Sequence, residues 1–491
     1  MAKPEGRKVA SRRDFLKQSL GAAAGAVLGP AAIVSANVRS ASAGDAAAAF
    51  DVRSHGAQSD GVTLATAAIQ KAIDACAAAG GGAVRFTPGT YLTGTLRLKS
   101  RVTLSLDQGA TILGSADLKD YPESVASIRS YTDKYVNRSL IAGDNLDRVA
   151  ITGGGTIDGN GAAFRRKEYL TRPYVIRLVG CRDVLVAGIT LRNSPMWMQH
   201  YLACDRLTVR GITVNNHVSY NNDGLDIDGC REVRVSGCRL DSDDDALCLK
   251  STLDRPCEDV VITDCRLASH CNAMKMGTES NGGFVNIEIS KLTIASPAAS
   301  KPLYGAQRGM GGLALEIVDG GRLDDVHISD VTITGVTAPI FLRLGNRARP
   351  IAAGAPKPGI GTFRNVTISN VKATGASAIG CAFAGLPGHP IENVTLTDVS
   401  MTFEGGGKKV DPARVPEKPD AYPESAMFGP LPAFGIYGRH LRGLTLRNVR
   451  LETASPDERP PTVFDDVEGL TVADLPVRTT SHNDSLFWEW G

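Results

Sequence analysis

The sequence predicts an all-β protein built as a single parallel β-helix, a solenoid with an N-terminal helical cap. Three observations predict it. A strand-like unit with a polar pair at its start recurs through most of the chain. An amphipathic helix ended by glycines precedes the first full repeats. Two carboxylate-rich corners lie one repeat apart.

The repeating unit is a polar pair, an apolar strand of alternating residues, a Gly, Asp or Asn corner, and a second short strand. One copy reads Arg182-Asp183-Val184-Leu185-Val186-Ala187-Gly188-Ile189-Thr190-Leu191. Others begin at Asp205, Arg231, Glu258, Val285, Asp324, Arg364, Glu392 and Arg442. The third positions of the first five copies are 23, 26, 27 and 27 residues apart. Self-similarity at that period signals a solenoid whose neighbouring coils stabilise one another. Alternation places Val, Ile and Leu inside a narrow coil and Ser, Thr, Asp and Arg outside. Later spacings of 39, 40, 28 and 50 residues mark coils with inserted loops. The Pro/Gly-rich stretches 352–361 and 408–432 are read as such loops, projecting from the coil rather than dividing domains.

Solenoid ends need covering. Thr66 to Ala77 has the apolar spacing of an amphipathic helix, and Gly80-Gly81-Gly82 ends it. The cap is expected over about 60–82, within one catalytic β-helix domain spanning 44–491. Residues 1–43 read as an export signal. Ser11-Arg12-Arg13-Asp14-Phe15-Leu16-Lys17 is a twin-arginine pattern, an Ala/Gly/Leu-rich stretch follows, and Ala41-Ser42-Ala43 is an A-x-A cleavage site. The apolar stretch is short and weakly apolar for a membrane span. The expectation is export through the twin-arginine route to the periplasm or the medium, with no membrane attachment after signal removal.

Charge is nearly balanced, 54 Lys+Arg against 52 Asp+Glu, and no basic patch points to nucleic acid. Ten cysteines in an exported chain permit disulfides without requiring them. Cys238 and Cys265 fall at equivalent places in adjacent repeats and read as small apolar residues stacked inside the coil. No C-x-x-C metal spacing occurs. Neither a metal nor a cofactor is expected, and the protein is expected to be a monomer.

The chemistry concentrates in Asn222-Asp223-Gly224-Leu225-Asp226-Ile227-Asp228 and in Ser242-Asp243-Asp244-Asp245-Ala246-Leu247-Cys248-Leu249-Lys250-Ser251. Asp223 and Asp244 are 21 residues apart, about one coil, so both groups belong on one face. Paired carboxylates suit glycosidic-bond cleavage, where one acid protonates the leaving oxygen and another carboxylate activates water. Asp and Asn also favour corners for backbone reasons. Three adjacent carboxylates, however, are costly unless something uses or neutralises them.

From about Phe50 to Val449 the chain resembles glycoside hydrolase family 28, the polygalacturonase family of right-handed parallel β-helix enzymes. The resemblance is carried by Gly61-Val62-Thr63, Pro88-Gly89-Thr90-Tyr91-Leu92-Thr93-Gly94, Gly155-Thr156-Ile157-Asp158-Gly159-Asn160-Gly161 and Asn193-Ser194-Pro195-Met196-Trp197. More specific are Asn222-Asp223-Gly224, which matches the family's N-T-D-G with Asn for Thr, and Asp244-Asp245, which matches its G-D-D with Asp243 for Gly. The resemblance implies a divergent, inverting hydrolase of pectic polysaccharides or oligosaccharides, and the long inserts between Ile287 and Val366, placed to wall off one end of the groove, lean toward exo action. It makes Asp244 the general acid, with Asp223 and Asp245 holding the attacking water. An inverting pair is expected roughly 6.5–9.5 Å apart.

The family's histidine, in G-H-G, corresponds to Asn272 here, with His270 two residues earlier on the same strand face. Either can take that role. The family's R-I-K, which binds substrate carboxylate, has no counterpart in Arg308–Ile317, where Arg308 is the nearby cation. The departure favours a neutral sugar or another pectin-associated linkage at the cleavage subsite. Asn222, Asp226, Asn272, Lys275 and Arg308 are the substrate-binding candidates, with His270 beside the three catalytic aspartates. Asp228, Lys250 and Lys275 are expected to stack as a charge ladder, and Arg343 and Arg347 are further cations for the groove. Two other classes stay open. A calcium-dependent β-helix lyase would use the oxygen cluster for its ion, and a non-catalytic carbohydrate-binding β-helix would not cleave.

Overall fold

A computed structural model describes residues 50–165, 168–298, 302–478 and 489–490. The proposed export signal lies outside them. Every named strand pairing is parallel, and strands between the end coils pair with their counterparts one coil earlier and one coil later. The protein is a parallel β-helix with three strands per coil in its central part. Sheet A contains Tyr174–Val179, Gln199–Leu202, Leu225–Asp228, Leu247–Ser251, Asn272–Ser280, Gly311–Ile317 and Ala338–Leu344. Sheet B stacks Arg182–Ala187, Asp205–Arg210, Arg231–Ser236 and Cys257–Thr263. Sheet C stacks Thr190–Arg192, Thr213–Asn216, Arg239–Ser242 and Arg266–Ser269. From Gly283 onward the B and C segments run together as long strands such as Gly283–Ala295 and Arg322–Thr334.

The polar pairs mark the turn from sheet A to sheet B. The second residue of each takes the left-handed conformation: Asp183, Arg206, Glu232, Asp259, Asn286, Asp325, Asn365 and Asn393 have φ between 52° and 59°, and Gly443 has φ 74°. Asn and Asp tolerate that region better than other non-glycine residues. The corners also bond from coil to coil, as Arg206 Nε does to Asp183 at 2.6 Å and Asn365 Nδ2 to Asp324 at 2.8 Å.

The interior is one apolar cluster, and Val184, Leu207, Val233, Val260, Ile287 and Val326 are all buried in it. The cap helix spans Thr66–Ala78 and adds Ile69, Ala72, Ile73 and Cys76 to the same core. Gly81 has φ +111°, and a Cβ there would stand 2.5 Å from the Arg101 carbonyl, so the helix must end in glycine. All ten cysteines are buried and free. Register places Cys238 against Cys265, as their repeats predicted. No described helix is long and apolar enough to cross a membrane.

The loop from 408 to 432 leaves the coil and folds back on it. It lies against the outer face of sheet A, where Val415, Phe428 and Leu431 pack on Ala314, Phe341 and Ala382. Small residues on that face leave room for the apolar side chains of the loop.

Candidate active site

The carboxylates come from two adjacent corners leading into sheet A. Strand Leu225–Asp228 pairs with Leu247–Ser251 so that Leu225 faces Leu247. Two residues earlier, that register puts Asp223 opposite Asp245 and Asn222 opposite Asp244. The Gly224 amide donates to the Asp245 carbonyl at 2.9 Å, and the Asp244 amide donates to Asn222 Oδ1 at 3.1 Å. The Asp244 carbonyl accepts the hydroxyls of Ser242 at 2.6 Å and Ser269 at 2.7 Å, which pins the corner from two coils.

Asp223, Asp244 and Asp245 each present a carboxylate oxygen, and the three oxygens lie within 4.8 Å of one another. Asp244 and Asp245 are neighbours in sequence, and Asp223 lies on the adjacent coil, where stacked strands are about 4.8 Å apart. Asp223 and Asp245 are buried, at 2% and 4% exposure, whereas Asp244 is partly open.

The three differ in their partners. Asp245 Oδ1 accepts from the Asn272 amide at 3.1 Å and from Asn272 Nδ2 at 2.9 Å, and its Oδ2 lies 3.1 Å from Lys275 Nζ. Asp223 Oδ2 lies 3.5 Å from Lys250 Nζ, and its Oδ1 has no hydrogen-bond partner. Asp244 has no cation in ion-pair contact among the described residues; its Oδ1 accepts the Asp245 amide at 2.9 Å. Burial, then the charges of Asp223 and Asp245, pushes the Asp244 carboxyl well above the usual range. Burial and Asp226 do the same to Asp223 against the pull of Lys250.

Around this trio lies a charge network whose extent the sequence did not reveal. Lys250 Nζ stands 3.3 Å from Asp226, 3.5 Å from Glu279 and 4.5 Å from the centre of the Trp197 ring. Burial opposes its charge, but Cys248, Asp226, Asp223 and Glu279 together hold its pKa well above the ordinary lysine value. Glu279 is depressed to about 2, because Lys250, Arg347 and Arg349 outweigh its burial. Asp226 is raised to about 7 and Glu316 to about 8, both chiefly by burial. Tyr422, carried in by the 408–432 loop, places its hydroxyl 3.3 Å from Lys275 Nζ.

The expected ladder forms only in part. Asp228 faces Lys250, but Lys275 faces Cys248, because the register pairs Leu247 with Met274. Arg308 was expected to stand in for the missing substrate-binding cation. It is instead ion-paired with Glu404 and is not among the contacts of the trio. Arg343 is a buried clamp, donating to the carbonyls of Gly385, Glu417 and Lys418. Arg347 joins the network through Glu279 and Asp319.

Asn272, not His270, reaches the trio. His270 is 1% exposed, its Nδ1 lies 2.9 Å from the Ala306 carbonyl, and its Nε2 faces Asp243. His217, which sequence reasoning passed over, lies 2.8 Å from Asp243 through Nδ1. The signal was present in the spacing: His217, Asp243 and His270 are 26 and 27 residues apart, the local coil period.

The sequence profile of glycosyl hydrolases family 28 matches residues 88–419, a stretch that contains both carboxylate corners and the charged residues around them. The chain belongs to glycosyl hydrolases family 28. A family 28 protein is a glycoside hydrolase, and this chain is one. Among its relatives is a probable polygalacturonase of Vitis vinifera, 29% identical over 390 residues, covering 72% of this chain and 74% of that protein. An exo-poly-alpha-D-galacturonosidase of Dickeya chrysanthemi is 28% identical over 250 residues, covering 40% of this chain and 41% of that enzyme. The crystal structure of a hyperthermoactive exopolygalacturonase from Thermotoga maritima shares the fold, with a TM-score of 0.62 at 21% identity over 82% of this chain and 91% of that one.

Proposed function

We propose that this family 28 member cleaves glycosidic bonds in pectic polysaccharides or oligosaccharides, with Asp244 as general acid and Asp223 and Asp245 orienting the water. The observation that carries the role assignment is the asymmetry of partners. Asp245 has an ammonium and two donors from Asn272, which favour its ionised form. Asp244 has two carboxylates close by and no cation in contact, which favours a proton. It is also the most exposed of the three and so the one that a glycosidic oxygen can reach.

The finer reading is inversion. A carboxylate whose lone pairs are engaged, as those of Asp245 are, is a poor nucleophile but can still orient a water. The alternative, retention through a covalent intermediate, would need one carboxylate free to attack the anomeric carbon. The configuration of the first-formed sugar, read by proton NMR, decides between them.

The relatives' names support a pectic substrate, and two of them describe exo-acting enzymes. Chain-end attack also accords with the 408–432 loop, which lies on the outer face of sheet A and carries Tyr422 to Lys275. The family's carboxylate-binding R-I-K has no counterpart in Arg308–Ile317, and Arg308 is engaged by Glu404. We infer a neutral sugar at the cleaved bond. Hydrolysis of a panel of pectic oligosaccharides tests all of this. Release of neutral monosaccharide from chain ends is the expected result, whereas internal cleavage of homogalacturonan overturns both finer readings. An unsaturated, ultraviolet-absorbing product overturns hydrolysis in favour of a lyase. Delivery by the twin-arginine route completes the proposal, and retention in the cytoplasm of an Arg12→Lys, Arg13→Lys variant tests it.

A further inference from the structure

We propose that His217, Asp243 and His270 form a site for one divalent transition-metal ion of the zinc class, behind the catalytic corner. The three residues stand in register on successive coils. Asn216 pairs with Ser242, and Ser242 with Ser269, so the next residue on each coil is His217, Asp243 and His270 in turn. Each offers one ligand atom, and these atoms lie within 4.8 Å of one another.

Two further features make this more than a cluster. First, the far nitrogen of each imidazole is already engaged. His217 Nε2 lies 3.1 Å from Asp241 Oδ1, and His270 Nδ1 lies 2.9 Å from the Ala306 carbonyl. Metal-bound histidines commonly donate their second N–H to a carboxylate or a backbone carbonyl, which fixes the ring and its tautomer. Asn222 Nδ2 similarly approaches Asp243 Oδ2 at 3.4 Å.

Second, His270 Nε2 is buried and has no hydrogen-bond partner. A carbonyl can only accept, so Nδ1 must carry the hydrogen. In the neutral ring Nε2 therefore presents a lone pair. It faces Asp243 Oδ1 across 3.8 Å, an acceptor opposite an acceptor. That arrangement calls for positive charge between them.

Two imidazoles and one carboxylate are the ligand types that suit zinc and its neighbours, whereas calcium prefers oxygen alone. Zn–N bonds of about 2.0–2.1 Å require ligand atoms roughly 3.3 Å apart. His217 Nδ1 and His270 Nε2 stand 2.8 and 3.8 Å from Asp243 Oδ1, so the first gap must open slightly and the second close slightly. His217, whose side chain is 23% exposed, leaves a path for entry. The ion would displace the proton that Asp241 and Asp243 otherwise favour on His217. Asp243 immediately precedes Asp244, so the ion would act as a positioning element, tying three coils together at the corner that carries the proposed acid.

The test uses the full chain stripped of metal by a chelator. Zn²⁺ is titrated by calorimetry, and Co²⁺ is added as a spectroscopic probe. One equivalent should bind, and the Co²⁺ form should show the visible d–d absorption of a tetrahedral nitrogen and oxygen site. His217→Gln and His270→Gln should each weaken binding at least tenfold and abolish that absorption. Asp241→Asn, at a partly exposed position, should weaken it by about 10–100-fold. Absence of stoichiometric binding overturns the proposal and assigns a proton to the gap between His270 and Asp243. Undiminished binding in both histidine variants overturns it too, placing the ion elsewhere.

Discussion

Asp223 stands opposite Asp245, not opposite Asp244. The register of Leu225 with Leu247 sets that pairing, and the Gly224 amide bonded to the Asp245 carbonyl at 2.9 Å holds it. A one-residue difference in register moves a side chain to the other face of a strand. Here it gives the two buried carboxylates separate ammonium partners, Lys250 and Lys275, and leaves Asp244 at the open edge.

If Asp244 is the acid, Asp244→Asn should reduce turnover by about two orders of magnitude or more, the usual contribution of general acid catalysis being about 10²–10⁴-fold. An aryl glycoside with a good leaving group should recover much of the loss, since such a group needs little protonation. Asp223→Asn and Asp245→Asn should show no such recovery. Steady-state rates on both substrate types, with circular dichroism to confirm folding, make the comparison. Full activity of Asp244→Asn removes the assignment.

Asn272→Ala deletes the 2.9 Å side-chain bond to Asp245 while keeping the backbone bond from the same residue. A hydrogen bond to a charged group is worth about 1.5–3 kcal/mol, which corresponds to a loss of roughly 10–150-fold in kcat with little change in KM. A change confined to KM would make Asn272 a substrate contact instead.

Lys250→Met leaves Asp223, Asp226 and Glu279 facing one another without their shared cation. Breaking a buried pair on one side costs about 3–5 kcal/mol, and urea unfolding at pH 7 should show a loss of that size. The loss should shrink toward pH 5, where Asp226, raised to about 7, is already protonated. A pH-independent loss would place its origin in packing alone.

Glu279 has the opposite pH signature. Its folded pKa of about 2 lies below the ordinary 4.5, so its contribution to stability is present above pH 4.5 and is lost as pH falls toward 2. Glu279→Gln should therefore flatten the dependence of unfolding free energy on pH across that window. An unchanged slope contradicts the ion pairing with Lys250 and Arg349.

Glu232 occupies a left-handed corner at φ 54° and is exposed. Glu232→Asn should stabilise the protein by about 0.5–1 kcal/mol, since Asn visits that region at lower cost. A stability lower than the parent's would mean that the glutamate makes a compensating contact.

The sequence by itself determined the solenoid. Apolar alternation, the coil period and the polar pairs are local properties, and each has a local physical cause: inward packing, coil stacking and the left-handed turn at residues such as Asp183 and Asn286. It also determined which two corners carry the carboxylates, because Asp223, Asp244 and Asp245 are adjacent or one period apart. Register between coils, by contrast, depends on how side chains from different repeats pack. That is why Lys275 faces Cys248 instead of Lys250. Only the tertiary structure brought Tyr422 to Lys275 across 147 residues, seated the 408–432 loop on sheet A, and turned Arg308 toward Glu404. Such contacts join residues with no periodic relation, so no spacing in the chain announces them; they exist because the folded surface offers a buried charge, an apolar shelf or an opposite charge at contact distance.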